Sequence, residues 1–160
     1  VPGAAGYHEL TRRAGDIARE RGWTLARVTH LLDRYGDELP ALLEAIDAHD
    51  AASDDEPAWG EPLPGTPAFL RAEVAWAVTH EGATHLEDVL VRRVRLDLEC
   101  RDRGLGAADE VLEVMAPLLG WSADDVAAER AAYAQRVEQI AAAEAETTDA
   151  TAVTHVTRPI

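Results

Sequence analysis

The stretch Phe69-Leu70-Arg71-Ala72-Glu73-Val74-Ala75-Trp76-Ala77-Val78-Thr79-His80-Glu81 reads as a helix with a very wide apolar face. At 100° per residue, Phe69, Leu70, Val74, Trp76, Ala77 and Val78 fall on one broad arc. Glu73 and His80 lie inside that arc, and Glu81 lies towards one side of it. Pro67 suits the first turn of such a helix, which is expected over about 67–81. The next segment, Leu86-Glu87-Asp88-Val89-Leu90-Val91-Arg92-Arg93-Val94-Arg95-Leu96, repeats the pattern. Its arc is Leu86, Val89, Leu90, Val94 and Leu96, with Arg93 near the centre. A charge on a core-facing stripe is costly unless it is paired. Arg93 is therefore expected to meet Glu73 or Glu81 across the helix pair. Breaking such a buried pair typically costs ~3–5 kcal/mol. Arg92 and Arg95 point elsewhere, in reach of an acidic partner.

Working outward, the same period recurs on both sides. A first helix spans about Glu9 to Arg21, with Leu10, Ala14, Ile17 and Ala18 inward and Gly22 as its stop. Thr24 is a natural N-cap for a second, which carries Leu25, Val28, Leu31, Leu32 and Tyr35 and closes at Gly36. Asp37 is expected to cap a third, with Leu39, Leu42, Leu43 and Ile46 inside. From Ala51 to Pro67 the periodicity stops, and Pro/Gly-rich sequence reads as a long loop anchored by Trp59 and Leu63. A sixth helix covers about Ala107 to Leu119 and ends at Gly120. Ser122 then caps a seventh, expected to run to about Glu144 with Val126, Tyr133, Val137 and Ile140 as its stripe. No strand-like alternation stands out. The expected fold is all-α: a compact bundle of six or seven helices over residues 1–146, followed by a loose Thr-rich tail over 147–160.

Composition narrows the function classes. The 160 residues carry a formal net charge of −15, and all 15 basic residues are Arg. A general nucleic-acid footprint or a basic membrane patch is disfavoured by that balance. No apolar run approaches ~18 residues. Cys100 stands alone, which suits a reducing compartment. The opening Val1 reads as the start of a fragment rather than of a gene product.

Most site motifs fail on spacing. His80 and His85 are five residues apart, whereas two ligands on one helix face need four. Cys100 has no His at a signature distance. Asp54-Asp55-Glu56 lacks the ligand spacing of a calcium loop. There is no GxGxxG and no phosphate-binding loop. Ile17 to Val28 has the outline of a helix-turn-helix, which keeps a free-standing helical module, or a DNA-binding regulator, as the alternative function. Its second helix would offer a groove mainly Thr24, Arg27, Thr29 and His30, with Asp33 against binding.

The segments just quoted also resemble a known family. Ala72-Glu73-Val74, His80-Glu81 and Asp88-Val89-Leu90-Val91-Arg92-Arg93-Val94-Arg95-Leu96 look like the AEV…HE…DxLxRRxRL pattern in the C-terminal domain of aerobic, FAD-dependent glycerol-3-phosphate dehydrogenase. Leu32-Asp33-Arg34-Tyr35-Gly36 resembles that family's LxxRYG step, and Val111 to Trp121 resembles its closing helix. Val94 departs from the pattern, where Thr is usual. The resemblance implies a parent enzyme that oxidises sn-glycerol 3-phosphate to dihydroxyacetone phosphate and passes electrons through FAD to a quinone. It implies a cytoplasmic enzyme, peripheral at the inner face of the cytoplasmic membrane. FAD and the catalytic residues would belong to the N-terminal region, so no catalytic, cofactor-binding or metal-binding residue is assigned to this chain. The expected partners are that flavin-binding region, a second copy in a homo-oligomer, and the quinone and membrane through the parent, with no nucleic acid. Glu73, His80, Glu81, Asp88, Arg92, Arg93 and Arg95 are expected to form a structural and interface network.

Overall fold

The computed structural model describes residues 6–52 and 57–156, with side chains through residue 145. Its α-helices are α1 (Tyr7–Arg21), α2 (Leu25–Tyr35), α3 (Leu39–Ala52), α4 (Arg71–Thr79), α5 (Leu96–Glu99), α6 (Ala108–Leu119) and α7 (Ala123–Val156). The caps explain several of these boundaries. The Thr24 hydroxyl accepts the Arg27 N–H, and Ser122 and Asp125 form a reciprocal cap at the start of α7. Gly22 and Gly120 end α1 and α6 in the left-handed conformation.

Four local expectations change. Asp37 lies inside a short 3-10 turn, Gly36–Glu38, rather than capping α3 directly. The segment expected as loop and first helical turn contains a small antiparallel hairpin, β1 (Pro62–Leu63) with β2 (Thr66–Leu70). Pro67 is therefore a strand residue, and α4 begins at Arg71. The fifth helix is a π-helix, Asp88–Arg93, in which the Val94 N–H reaches back five residues to the Val89 carbonyl at 2.7 Å. Finally, α7 does not close near Glu144. It continues through the backbone of 147–156, giving a rod of about 50 Å at ~1.5 Å per residue. The rest of the expected tail, 157–160, and the acidic run 54–56 lie outside the described residues.

The described part of the loop after α3, from residue 57, is packed. Trp59 stacks on His49 with ring centroids 4.1 Å apart, and Leu63 is buried. Asp50 accepts the N–H groups of Trp59 (2.7 Å) and Gly60 (3.2 Å). In return, the carbonyls of Glu61 and Trp59 accept the Arg71 and Ala72 N–H groups at 3.1 and 3.0 Å. These are orphan donors at the start of α4, which needs such partners because its N-terminus is buried.

Two apolar cores meet at α4. One gathers α1, α2 and α3 around Val28, Leu31, Leu39, Leu42 and Ile46, and takes Leu70, Ala72 and Trp76 from the β2–α4 segment. The other gathers the π-helix, α5, α6 and Tyr133 of α7, and takes Val74, Ala75 and Ala77. Every residue from Ala72 to Ala77 is buried. The wide arc read from the sequence is therefore a helix with apolar neighbours on all sides.

Candidate functional site

Glu73 sits where the two cores join, with no exposed surface. Its Oε2 accepts the Leu70 N–H at 2.8 Å, closing the N-terminus of α4 from within. Its Oε1 faces α2, with His30 Nε2 at 3.0 Å, the Tyr35 hydroxyl donating at 3.4 Å and Arg34 Nε at 3.6 Å. Arg34 also donates to the Tyr35 oxygen at 3.2 Å and to the Val94 carbonyl at 3.4 Å. The buried carboxylate is thus tied to α2, and through Arg34 to the end of the π-helix. Burial, reinforced by the Glu73 charge, pushes the Tyr35 phenol well above its ordinary range, so the hydroxyl stays a donor.

The seven residues expected to act together separate into smaller groups. Glu73 is the buried centre, but its partners are His30, Arg34 and Tyr35 rather than Arg93. Arg93 pairs with Glu81, at 3.6 Å between Nε and Oε2, and donates to the Glu81 carbonyl at 2.9 Å. Its side chain is 42% exposed, so it is not a core charge. The other arc positions, Leu86, Val89, Leu90, Val94 and Leu96, are all buried, so the change is confined to Arg93, which lies inside the π-helical turn. His80 is exposed because α4 stops at Thr79. It stacks on Trp76 at 3.7 Å and meets the Thr79 hydroxyl through Nδ1. Asp88 accepts the N–H groups of Thr84 and His85 and pairs with Arg92, which also meets Glu87. Burial alone would raise the Asp88 pKa, but those two N–H groups and Arg92 outweigh it and hold the carboxyl below its usual value. Arg95 is exposed, and its guanidinium has no partner among the described residues.

A second buried carboxylate gave no sequence signal. Asp97 lies in α5 between Arg103 (3.4 Å) and Arg136 (3.6 Å), and Arg136 also reaches Glu87. The Tyr133 hydroxyl donates to the Arg103 carbonyl at 2.6 Å, and burial pushes its pKa up to about 12. His85, outside α4, pairs with Glu129 of α7 at 2.8 Å. His80 and His85 thus have separate partners.

The helix-turn-helix outline does not leave a reading surface. Arg27 holds the Pro67 carbonyl at 3.0 and 2.8 Å, and His30 is turned onto Glu73. The two basic groups on α2 best placed for a groove are therefore spent within the fold. A concavity of about 520 Å³ is lined by Glu20, Asp47, Asp50 and Glu61 among others, which oppose a pyrophosphate. Its Arg21 is already held by Asp47. What the geometry does supply is a cross-braced helical body with charged groups at its rim.

The family model described as the C-terminal domain of alpha-glycerophosphate oxidase matches residues 1–126. Among curated proteins, "Glycerol-3-phosphate dehydrogenase 2" of Mycobacterium tuberculosis is 42% identical over 150 residues, 94% of this chain and 24% of that protein. "Glycerol-3-phosphate dehydrogenase" of Mycobacterium leprae is 41% identical over 151 residues, with the same coverage of both. "Probable glycerol-3-phosphate dehydrogenase, mitochondrial" of Dictyostelium discoideum is 33% identical over 93 residues, 58% of this chain and 13% of that protein. The chain spans about a quarter of the length of the mycobacterial relatives. No solved structure matches it.

Proposed function

The chain belongs to the family of the C-terminal domain of alpha-glycerophosphate oxidase, and from that premise we propose that it is the accessory helical domain of an FAD-dependent sn-glycerol-3-phosphate dehydrogenase. The parent enzyme oxidises the secondary alcohol of glycerol 3-phosphate to the ketone of dihydroxyacetone phosphate. FAD, held by the flavin-binding region outside this chain, takes up the two electrons and hands them to a quinone. The parent works in the cytoplasm, peripheral to the inner face of the membrane. Among the described residues no helix is long and apolar enough to cross one. The domain packs against the flavin-binding region and takes no part in chemistry.

The observation that carries this reading is the alignment of nearly the whole chain with about one quarter of proteins called glycerol-3-phosphate dehydrogenases. The buried polar groups fit it as well. Glu73 is satisfied on both oxygens and Asp97 is flanked by two guanidiniums, so each is occupied in holding helices rather than aimed into a cleft. The test is the visible spectrum and the glycerol 3-phosphate:quinone activity of three proteins: the full-length enzyme, the enzyme lacking this domain, and the isolated chain. Flavin and activity are expected in the full-length enzyme, and neither in the isolated chain. Stoichiometric flavin or turnover in the isolated 160 residues refutes the reading.

A further inference from the structure

We propose that the segment Arg95–Arg101 is the face by which this domain docks onto the rest of its own polypeptide. The inference rests on the accessory-domain reading and adds to it the surface and the chemistry of the contact.

Several irregularities converge on this short segment. Leu98 is 74% exposed, more than any other large apolar side chain described. Arg95, just before it, adopts a left-handed backbone with φ 65°, and Arg103, just after, does the same with φ 56°. They are the only non-glycine residues with positive φ among those described. Left-handed backbone is unfavourable for residues with a Cβ and persists where surrounding structure enforces it. The segment also follows directly on the π-helix, a form that often marks functional sites.

The base under the segment is rigid. Leu96 is fully buried, and Asp97 is clamped by Arg103 and Arg136. A Cβ added at Gly104 would lie only 2.9 Å from that of Leu96, so the backbone there is closely fitted. Arg34 holds the Val94 carbonyl and so ties the segment to Glu73. Leu98 therefore protrudes from a braced platform, not from a loose loop.

The flanking charges indicate what covers it. Arg95 and Arg101 are exposed with no partner among the described residues, on a chain whose net charge is −15. Glu99 is the one exposed acid between the two arginines, and Asp102, just beyond them, is turned onto the Gly104 and Gly106 N–H groups. An exposed leucine on a rigid base, flanked by unpaired guanidiniums, suits a partner surface that offers apolar contact and negative charge. Its complement is an apolar socket rimmed by carboxylates. The occupant is the remaining polypeptide, because the matched region is only 24% of its mycobacterial relatives.

The test uses the full-length enzyme carrying Leu98→Cys with Cys100→Ser, and separately Leu25→Cys as an exposed control. Maleimide labelling at residue 98 is followed by peptide mass spectrometry. Labelling at least about tenfold slower than at residue 25 is expected. The full-length enzyme is expected to unfold in one calorimetric transition, which Leu98→Glu is expected to split into two. Arg95→Gly is expected to speed labelling at residue 98 without lowering the domain's own melting temperature, which a merely structural arginine would not do. Rapid labelling at residue 98 in an enzyme that still unfolds in one transition overturns this surface and leaves the accessory-domain reading standing. Independent transitions in the unmutated enzyme, with full activity after removal of the domain, overturn that reading itself. Protection that disappears on dilution to a monomer assigns the face to a second copy and also overturns the proposal.

Discussion

Replacing Glu73 with Gln keeps the shape of the side chain and removes its charge at the junction of the two cores. The amide oxygen can still accept the Leu70 N–H, but the NH₂ group then turns towards His30, Tyr35 and Arg34. It can donate to the phenol oxygen or to an imidazole nitrogen, but it offers no negative charge to the guanidinium of Arg34. Removing one member of a buried pair costs ~3–5 kcal/mol when the other is left uncompensated. Here the Arg34 side chain keeps 21% of its surface and that of His30 keeps 22%, so water relieves part of the loss. About 2–3 kcal/mol is the resulting expectation. For a chain of this size that corresponds to a fall in melting temperature of roughly 5–10 °C.

Urea denaturation of the 160-residue chain, followed by circular dichroism, measures the effect. A cycle of Glu73→Gln, Arg34→Met and the double variant isolates their coupling, expected at about 1–2 kcal/mol. Arg93→Ala, at a pair 3.6 Å long and 42% exposed, is expected to cost under about 1 kcal/mol. A Glu73→Gln variant within about 0.5 kcal/mol of the parent, or an Arg93→Ala variant more damaging than Arg34→Ala, would show that the carboxylate does not brace the cores.

Gly82 and Gly104 both have positive φ, but only Gly104 faces close neighbours. Gly82→Ala is expected to cost about 1–2 kcal/mol from backbone strain alone, and Gly104→Ala about 2–4 kcal/mol in the same denaturation series. Asp88→Asn weakens the cap on the Thr84 and His85 N–H groups and the pair with Arg92, and should cost about 1 kcal/mol. Because the folded pKa of Asp88 is lowered from 3.8, its contribution is complete above that value and is lost as pH falls through the folded pKa, which Asp88→Asn should abolish in an acid melting series. His85 has the opposite sign: hydrogen bonding to Glu129, then its charge, raises the imidazole above 6.5. Its contribution is complete below 6.5 and disappears as pH rises through the folded pKa. An NMR titration should place its midpoint above 6.5 and show it fall in Glu129→Gln; an unmoved midpoint rejects the pair.

The residues that announced the fold did so through local rules. Thr24, Gly36, Gly120 and Ser122 mark helix ends by chemistry contained within a turn: α2 begins and ends, α6 ends and α7 begins close to where those residues place them. The hairpin was hidden because β1 is two residues long and β2 begins Thr66-Pro67, too short and too proline-marked to display alternation. The π-helix was hidden for a different reason. A 100° projection between Leu86 and Leu96 carries i→i+4 closure with it, whereas the Val94 N–H closes on Val89; Val94 and Leu96 are buried where the projection puts them, and Arg93, inside the wider turn, is the position that departs. Reading Arg93 as buried follows correctly from the wrong period.

The bracing of Glu73 was legible on one side only. A carboxylate inside an apolar arc announces that it must be paired, and its burial agrees with that demand. Its partners lie 38–43 residues earlier, on a helix whose own pattern is satisfied by Val28, Leu31, Leu32 and Tyr35. Nothing in the period of α2 selects His30 and Arg34 over an acid-binding residue elsewhere. The choice is made by packing, which sets α2 across the start of α4 and leaves those side chains at the edge of the buried face. The same geometry carries Arg34 to the Val94 carbonyl, one peptide from the left-handed Arg95. A segment with an outward leucine and unfavourable backbone needs such a support if it is to meet a partner in a fixed shape. The Arg34-Tyr35-Gly36 step and the Arg92-Arg93-Val94-Arg95 run are thus physically connected: Arg34 holds the Val94 carbonyl, the backbone from which Arg95 is displayed.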